Sequence, residues 1–434
     1  MVRHCPAPSR LLRTIPSAWR RTVTKEPMKI LLINSDLAKN RGDRAIAEGN
    51  IELIRERFPN SRILGISQYP ERDEAWYGIK FLDMDFQSLN PLDLLRLARI
   101  ARQSDAVFWG GGEILKDYTN KMALWYWCLK IAIISLFNPN IYGAYQGIGP
   151  TRSISSKRLI RFVVGRCRLF IVRDEESRRK LIDWGAPGDR VIASSDPAVL
   201  PIPRRPDVHL VRKLEAQFDI DPEFLENFVC VAPREWFHYK QSGLIPFKYK
   251  KKLLTALGRD SSRRTEEFDT YVRRVVELVS QIAERYGTNV LLVPMHMEEG
   301  DTELCRRIAD GFSGTGVMKV LERDILSAAE LRSVISAARM MVGFRLHSNI
   351  IGVSSGVPSL NIYYVDKGRV FFDQIGQEAF AIPIEFLLDD DYYERFFALL
   401  DSLDRDSRRV RREIEGSTDR LRDSVRKAFG RVDA

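Results

Sequence analysis

Arg345 and His347 stand two residues apart in Gly343-Phe344-Arg345-Leu346-His347-Ser348. An arginine offers a planar, permanently charged fork that can hold a phosphate or carboxylate through two hydrogen bonds. A histidine titrates near neutrality and can give or take a proton. The apolar run Leu346–Ser354 reads as a helix, so both residues fall at its N-terminus, where free N–H groups and the helix dipole favour an anion. Arg234, His296 and Lys367 extend the set. Each follows a short apolar run that reads as a strand, as Arg345 does, so all five residues project from one edge of one expected parallel sheet. That convergence points to anion chemistry more strongly than any single residue. His4, His209 and His238 have no such company and read as incidental.

The first half of the chain holds glycine edges instead. The loop Asn34–Asp43 ends in Asn40-Arg41-Gly42-Asp43 before a helical stretch. Asp43 is expected to cap that helix, with its N-terminus free to hold an anion. Gly110-Gly111-Gly112 closes the third apolar run, where glycine implies positive φ or close approach of a ligand. Gln146-Gly147-Ile148-Gly149-Pro150 closes the next. Neither is a nucleotide P-loop or a complete dinucleotide fingerprint, so NAD binding is rejected. Arg173-Asp174-Glu175-Glu176-Ser177 and Ser195-Asp196-Pro197-Ala198 read as strand-exit turns, the first with an internal arginine–carboxylate brace. Gly352-Val353-Ser354-Ser355-Gly356 matches a nucleophile elbow in letters only: its serine ends a helix, whereas an elbow needs a strand before it.

These residues need elements to position them. Ile30–Ile33, Arg62–Ile66, Ala106–Trp109, Ile141–Tyr145, Leu169–Val172 and Val191–Ala193 read as strands, with amphipathic stretches such as Ala45–Phe58 between them. After Pro201, Pro203 and Pro206 the alternation resumes, with strands at Phe228–Val231, Val290–Val293, Met340–Val342 and Ser359–Tyr363. This is α/β: two Rossmann-like doubly wound domains over 28–200 and 208–390, joined by a proline-rich linker at 201–207. Charged helices over 391–434 close the chain. Such a pair of domains with a closing C-terminal helical segment is the GT-B-type arrangement of transferases, which bind ligands in the cleft between domains.

The net charge of +10 on 434 residues invites a nucleic-acid or membrane reading, but its distribution does not sustain nucleic acid. Residues 1–27 hold six Lys or Arg against one acid and read as a disordered basic leader, with a transit sequence as the alternative. Residues 234–264, an irregular insert, hold nine against two. Everything else sums to two units negative. The five cysteines form no paired motif, which fits a reducing, cytoplasmic setting. Met122–Phe137 is too short to span a bilayer and reads as a buried helix.

Taken in order, these segments resemble the polysaccharide pyruvyl transferase family. The resemblance rests on Asn40 to Ile46, Gly110–Gly112, Gln146–Pro150, Arg173–Ser177, Asp196–Ala198, Pro294–His296, Arg345–Ser348 and Lys367. The leader, the insert and the charged C-terminal helix depart from it. It implies transfer of pyruvate from phosphoenolpyruvate to a sugar of a polysaccharide or its lipid- or nucleotide-linked precursor, as a cyclic ketal with loss of phosphate. No metal or redox cofactor is implied; phosphoenolpyruvate is the donor substrate. Arg234, Arg345 and Lys367 would hold that donor, with His296 beside them. His347 would protonate the methylene carbon, although the family pattern also allows it as a donor ligand. Asp43, Gly110, Gly111, Gly112 and Gln146 would face the acceptor from the first domain. The insert would greet an acidic acceptor or the periphery of a membrane that carries one. A GT-B glycosyltransferase using a nucleotide sugar is the alternative, and an inactive anion- or membrane-binding module the third reading.

Overall fold

Runs such as Leu31-Leu32-Ile33 and Val107-Phe108-Trp109 are apolar on consecutive residues, which a strand tolerates only when both faces of its sheet are covered. In the computed structural model, which describes residues 26–34, 36–85, 88, 90–118, 121–236, 266–298 and 300–433, both runs are buried strands of one parallel sheet. That sheet contains β1 (Lys29–Ile33), β2 (Arg62–Ser67), β3 (Lys80–Asp83), β4 (Ala106–Gly110), β5 (Ile141–Gln146), β6 (Leu169–Val172) and β7 (Val191–Ala193). Its order is β3-β2-β1-β4-β5-β6-β7. The second sheet contains β8 (Phe228–Ala232), β9 (Asn289–Leu292), β10 (Met318–Val320), β11 (Met340–Gly343), β12 (Ser359–Tyr363) and β13 (Ala381–Pro383). Its order is β10-β9-β8-β11-β12-β13. Both sheets reverse direction beside their first strand, and ligands of doubly wound folds bind outside the carboxyl ends of strands at that switch point.

Helices α1 (Arg41–Arg57), α2 (Pro70–Tyr77), α3 (Pro91–Gln103), α4 (Lys121–Phe137), α5 (Ile154–Val164) and α6 (Glu175–Asp183) belong to the first sheet. The second is preceded by α7 (Val208–Phe218) and α8 (Pro222–Glu226). It is wound by α9 (Glu266–Tyr286), α10 (Asp301–Asp310), α11 (Ala328–Ser336), α12 (Leu346–Ser354) and α13 (Asp366–Ile375). Helices α14 (Tyr392–Arg405) and α15 (Ser407–Phe429) end the chain.

The two faces of the first sheet have different neighbours. Ile30, Leu32 and Phe108 share a core with α1, α15 and the whole second domain. Leu31, Ile33, Val107 and Trp109 pack instead beneath α3, α4, α5 and α6. Helix α15 returns across the first domain: Phe429 stacks on Phe108 with centroids 5.4 Å apart, and Tyr145 donates from its hydroxyl to the Val425 carbonyl at 2.7 Å. Tyr145 holds φ at 57°, an uncommon conformation for a bulky residue, where the register of β5 against β6 shifts. Arg422 donates to the carbonyls of Val199 and Ser354, so one side chain ties α15 to both domains.

Several expectations need correction. Asn40, not Asp43, caps α1: its side chain accepts from the Gly42 and Asp43 amides, and Asp43 lies inside the first turn. Strands β3, β10 and β13 and helices α2, α7 and α8 were not expected. Helix α4 is not wholly buried; one side packs inward and the other lies at the surface. Residues 1–25 of the leader and 237–264 of the insert fall outside the described residues, and His4 and His238 with them.

Candidate active site

The carboxyl edges of the two sheets meet along the start of α1. There the backbone of the first domain is stitched to the second: Arg41 N donates to Met295 O at 2.9 Å, and Met297 N to Lys39 O at 2.9 Å. Asn40 and His296 form an antiparallel bridge within this seam. His296 is buried, and its Nδ1 accepts from the Glu298 amide at 3.3 Å.

His347, in the first turn of α12, lies against the first turn of α1. A Cβ on Gly42 would fall 2.4 Å from His347 Nδ1, so no other residue fits at 42 with the imidazole in place. His347 Nε2 is 3.4 Å from Asp196 Oδ2. Burial would raise the Asp196 carboxyl, but His347 and Arg173 hold it below its ordinary value. Arg173 continues the chain of charge, 3.6 Å from Asp196 and 3.2 Å from Glu113. It lies directly over Gly147, whose added Cβ would meet the guanidinium at 2.4 Å. Glu113 is also approached by Lys116 at 3.4 Å and Lys367 at 3.9 Å. Burial opposes its ionisation, yet Lys367, Lys116 and Arg173 bring it down to about 2.

The second cationic group surrounds Tyr364. The Arg234 guanidinium lies 4.2 Å from the centre of its ring. Burial works against the phenolate, but Arg234, Lys367, Arg345 and Lys116 pull the phenol down to about 8. Arg234 is itself buried, and its carbonyl accepts from the Tyr271 hydroxyl at 2.7 Å. Arg345 is held by both oxygens of the fully buried Asp301, at 2.6 and 2.9 Å. Asp301 also accepts from the His296 amide at 3.1 Å.

The first domain contributes acids. Asp36 is raised to about 6 by burial and by the neighbouring charge of Asp43. Asp43 borders the glycine turn: a Cβ on Gly112 would lie 3.1 Å from its Oδ1. Gly111 and Gly112 have φ of 124° and 53°, as the glycine run implies, whereas Gly110 continues β4 with no such requirement. Gln146 is fully buried and donates to the Trp109 carbonyl at 3.0 Å, so it braces the glycine edge from within the sheet.

The structure therefore brings Arg234, Arg345, His347 and Lys367 together with Asp43 and the glycine turn. It places His296 in the seam and Gln146 behind the turn. Sequence reasoning passed over Glu113, Lys116, Tyr364 and Asp36, and read Arg173 and Asp196 as turn residues. One signal was available for two of them: Glu113 directly follows the three glycines, and Gly147 leaves room for Arg173.

Buried cations thus gather at the facing edges of two doubly wound sheets, with a histidine at a helix start, in a GT-B-like fold. The family model for polysaccharide pyruvyl transferase matches residues 40–367, and the chain belongs to that family. Its members serve pyruvyl transfer to polysaccharide. The amylovoran biosynthesis protein AmsJ of Erwinia amylovora is 21% identical over 418 residues, covering 89% of this chain and 96% of AmsJ. Among solved structures, the fold is similar to Anabaena Alr3699/HepE in complex with UDP-glucose, with a TM-score of 0.54, 12% identity and coverage of 93% and 98%. It is also similar to the UDP-GlcNAc 2-epimerase of Neisseria meningitidis, with a TM-score of 0.51, 13% identity and coverage of 92% and 100%.

Proposed function

We propose that the protein transfers pyruvate from phosphoenolpyruvate to two hydroxyls of one sugar in a polysaccharide or its precursor. The product is a cyclic ketal, and phosphate leaves. The observation that carries this reading is the set of cations at the facing sheet edges: Arg234 lies 4.2 Å from the centre of the Tyr364 ring, and Lys367 and Lys116 lie 3.9 and 3.4 Å from Glu113. Phosphoenolpyruvate presents a phosphate and a carboxylate a few ångströms apart, and such a substrate needs several fixed cations at one place.

The chemistry then assigns the remaining residues. A hydroxyl of the sugar attacks C2 and loses its proton to a carboxylate, for which Asp43 with Asp36 behind it is suited. The methylene carbon takes a proton from His347 and becomes the methyl group. The second hydroxyl displaces phosphate from C2, and its proton leaves with the phosphate. Nothing is oxidised or reduced. Asp196, ionised beside the imidazole, orients His347.

The test is phosphate release from phosphoenolpyruvate by the purified full chain. It is expected only with a glycan acceptor, and expected to be lost in His347→Ala and Arg234→Met. A protein that neither binds nor consumes phosphoenolpyruvate, yet is stabilised against heat by UDP- or GDP-sugars, would instead be a nucleotide-sugar glycosyltransferase.

A further inference from the structure

Helix α4 is apolar all round. Leu124, Trp127, Cys128, Ile131 and Ile134 face the first sheet. Trp125, Leu129 and Leu136, spaced by four and seven residues, form a second stripe on the opposite side that is open to solvent, with Trp125 51% and Leu136 72% exposed. A soluble helix ordinarily keeps that outer face polar. The stripe does not stand alone. Helices α3 and α5 pack on either side of α4, and they add exposed Leu92, Leu95, Ile154 and Phe162 to one layer. An exposed apolar area shared by three adjacent helices marks an interaction surface.

Charge identifies the partner. The 56 residues from Tyr118 to Arg173 contain nine Lys or Arg and no Asp or Glu. Arg152, Arg158, Arg161 and Arg166 of this stretch are exposed around α5, and Arg96, Arg99 and Arg102 are exposed along α3. Of these nine, Arg173 lies buried in the candidate site and Lys130 turns inward, against the rings of Tyr126 and Trp127. An apolar stripe flanked by cations, with no acid on α4 or α5, is the pattern of a surface that seats in the headgroup layer of an anionic bilayer. A second copy of the chain would bring like charges face to face, which costs association. None of the described helices is long and apolar enough to cross a membrane, so the contact is with one leaflet.

We infer that the α3–α4–α5 face docks the protein on an anionic lipid surface. In a parallel doubly wound sheet these helices begin at the carboxyl edge of the strands, where Gly110–Gly112 and Gln146 lie. The docked face therefore sets the site edge beside the bilayer. The further consequence, that an acceptor carried on lipid reaches the site from the membrane, rests on the proposed function; the docking itself does not.

The test uses the full chain and vesicles of phosphatidylglycerol and phosphatidylcholine, without donor or acceptor. Co-sedimentation is expected on these vesicles and not on phosphatidylcholine alone, with fluorescence of Trp125 quenched by brominated lipid. The pair Trp125→Ser and Leu129→Ser is expected to weaken partitioning at least roughly tenfold. Arg158→Ser with Arg161→Ser should weaken it by roughly fivefold per cation. Both pairs lie on the surface and should leave the melting temperature unchanged. Binding that survives the Trp125→Ser and Leu129→Ser pair belongs to other basic segments and overturns the assignment. So does failure to bind any anionic vesicle, or a concentration-dependent dimer that the same pair abolishes.

Discussion

Two charge clusters cross from one domain to the other, and they are built in opposite ways. Around α1 the arginines are satisfied largely by backbone. Arg41 is fully buried and donates to the carbonyls of Pro294, Leu321 and Arg323. Arg44 pairs with Asp324 but also holds the carbonyls of Leu37 and Ala38. Arg332 donates to the Ala198 carbonyl and to Ser354. The chain from His347 through Asp196, Arg173 and Glu113 to Lys367 is side chain to side chain throughout. The difference separates brace from site. An anionic substrate can take over a cation from a carboxylate, because the carboxylate can turn away. It cannot take over a guanidinium that backbone carbonyls hold, because freeing it would open the domain seam.

That contrast predicts that the two clusters fail differently. The largest effect is expected at His347: His347→Ala should lower acceptor-dependent phosphate release by about 10²–10⁴, roughly 3–5 kcal/mol of barrier, with the melting temperature unchanged. Arg41→Met should do the reverse. It strands the buried carbonyls of Pro294 and Leu321 and the part-buried carbonyl of Arg323, and should destabilise the fold by about 3 kcal/mol, read by denaturant unfolding, while the folded fraction keeps turnover near wild type. An Arg41→Met protein that is fully stable but inactive would place Arg41 in the site and erase the distinction. A smaller effect is expected where the clusters touch. Gly42→Ala puts a methyl into the space of His347, so activity should fall about tenfold or more. The helix itself should tolerate alanine, which is favoured over glycine by about 1 kcal/mol. Combined with His347→Gly, which also removes the Cβ that would lie 2.8 Å away, it should cost nothing further; an additive loss would mean that Gly42 acts through something other than His347.

Most of the architecture was legible because it depends on apolar runs buried on both faces. The strands missed are short or at sheet edges: β3, β10 and β13 carry little more than two apolar residues each, as in Met318-Lys319-Val320. At the start of α1, Asn40 and Asp43 are both good caps by type, and only the backbone geometry decides for Asn40. In the site, Arg234, Arg345 and Lys367 were legible because each follows a strand, whereas Lys116 was passed over and Arg173 read as a turn residue. Their anionic partners were not legible. Glu113 and Lys367 are 254 positions apart, and His347 and Asp196 come from different domains, so these pairings are products of the tertiary fold. Tyr364 gives no local sign at all: a tyrosine beyond a strand end is ordinary until four cations gather around it.

Tyr364 also gives the smallest and most specific prediction. Its phenol ordinarily titrates near 10. Burial would push it higher, but Arg234, Lys367, Arg345 and Lys116 outweigh that and bring it to about 8. A group depressed on folding stabilises the fold fully above its unfolded value, and that contribution is lost as pH falls through the folded value. Wild type should therefore gain stability over Tyr364→Phe as pH rises from about 8 to about 10. Binding should move the other way. Above about pH 8 the phenolate occupies the cations that an anionic donor needs, so the KM for phosphoenolpyruvate should rise severalfold in wild type. In Tyr364→Phe it should stay flat, with kcat at neutral pH little changed. Initial rates at saturating acceptor across that range decide the matter. Parallel KM profiles in the two proteins would show that Tyr364 does not share its cations with the donor, leaving the His347 chain as the whole of the site.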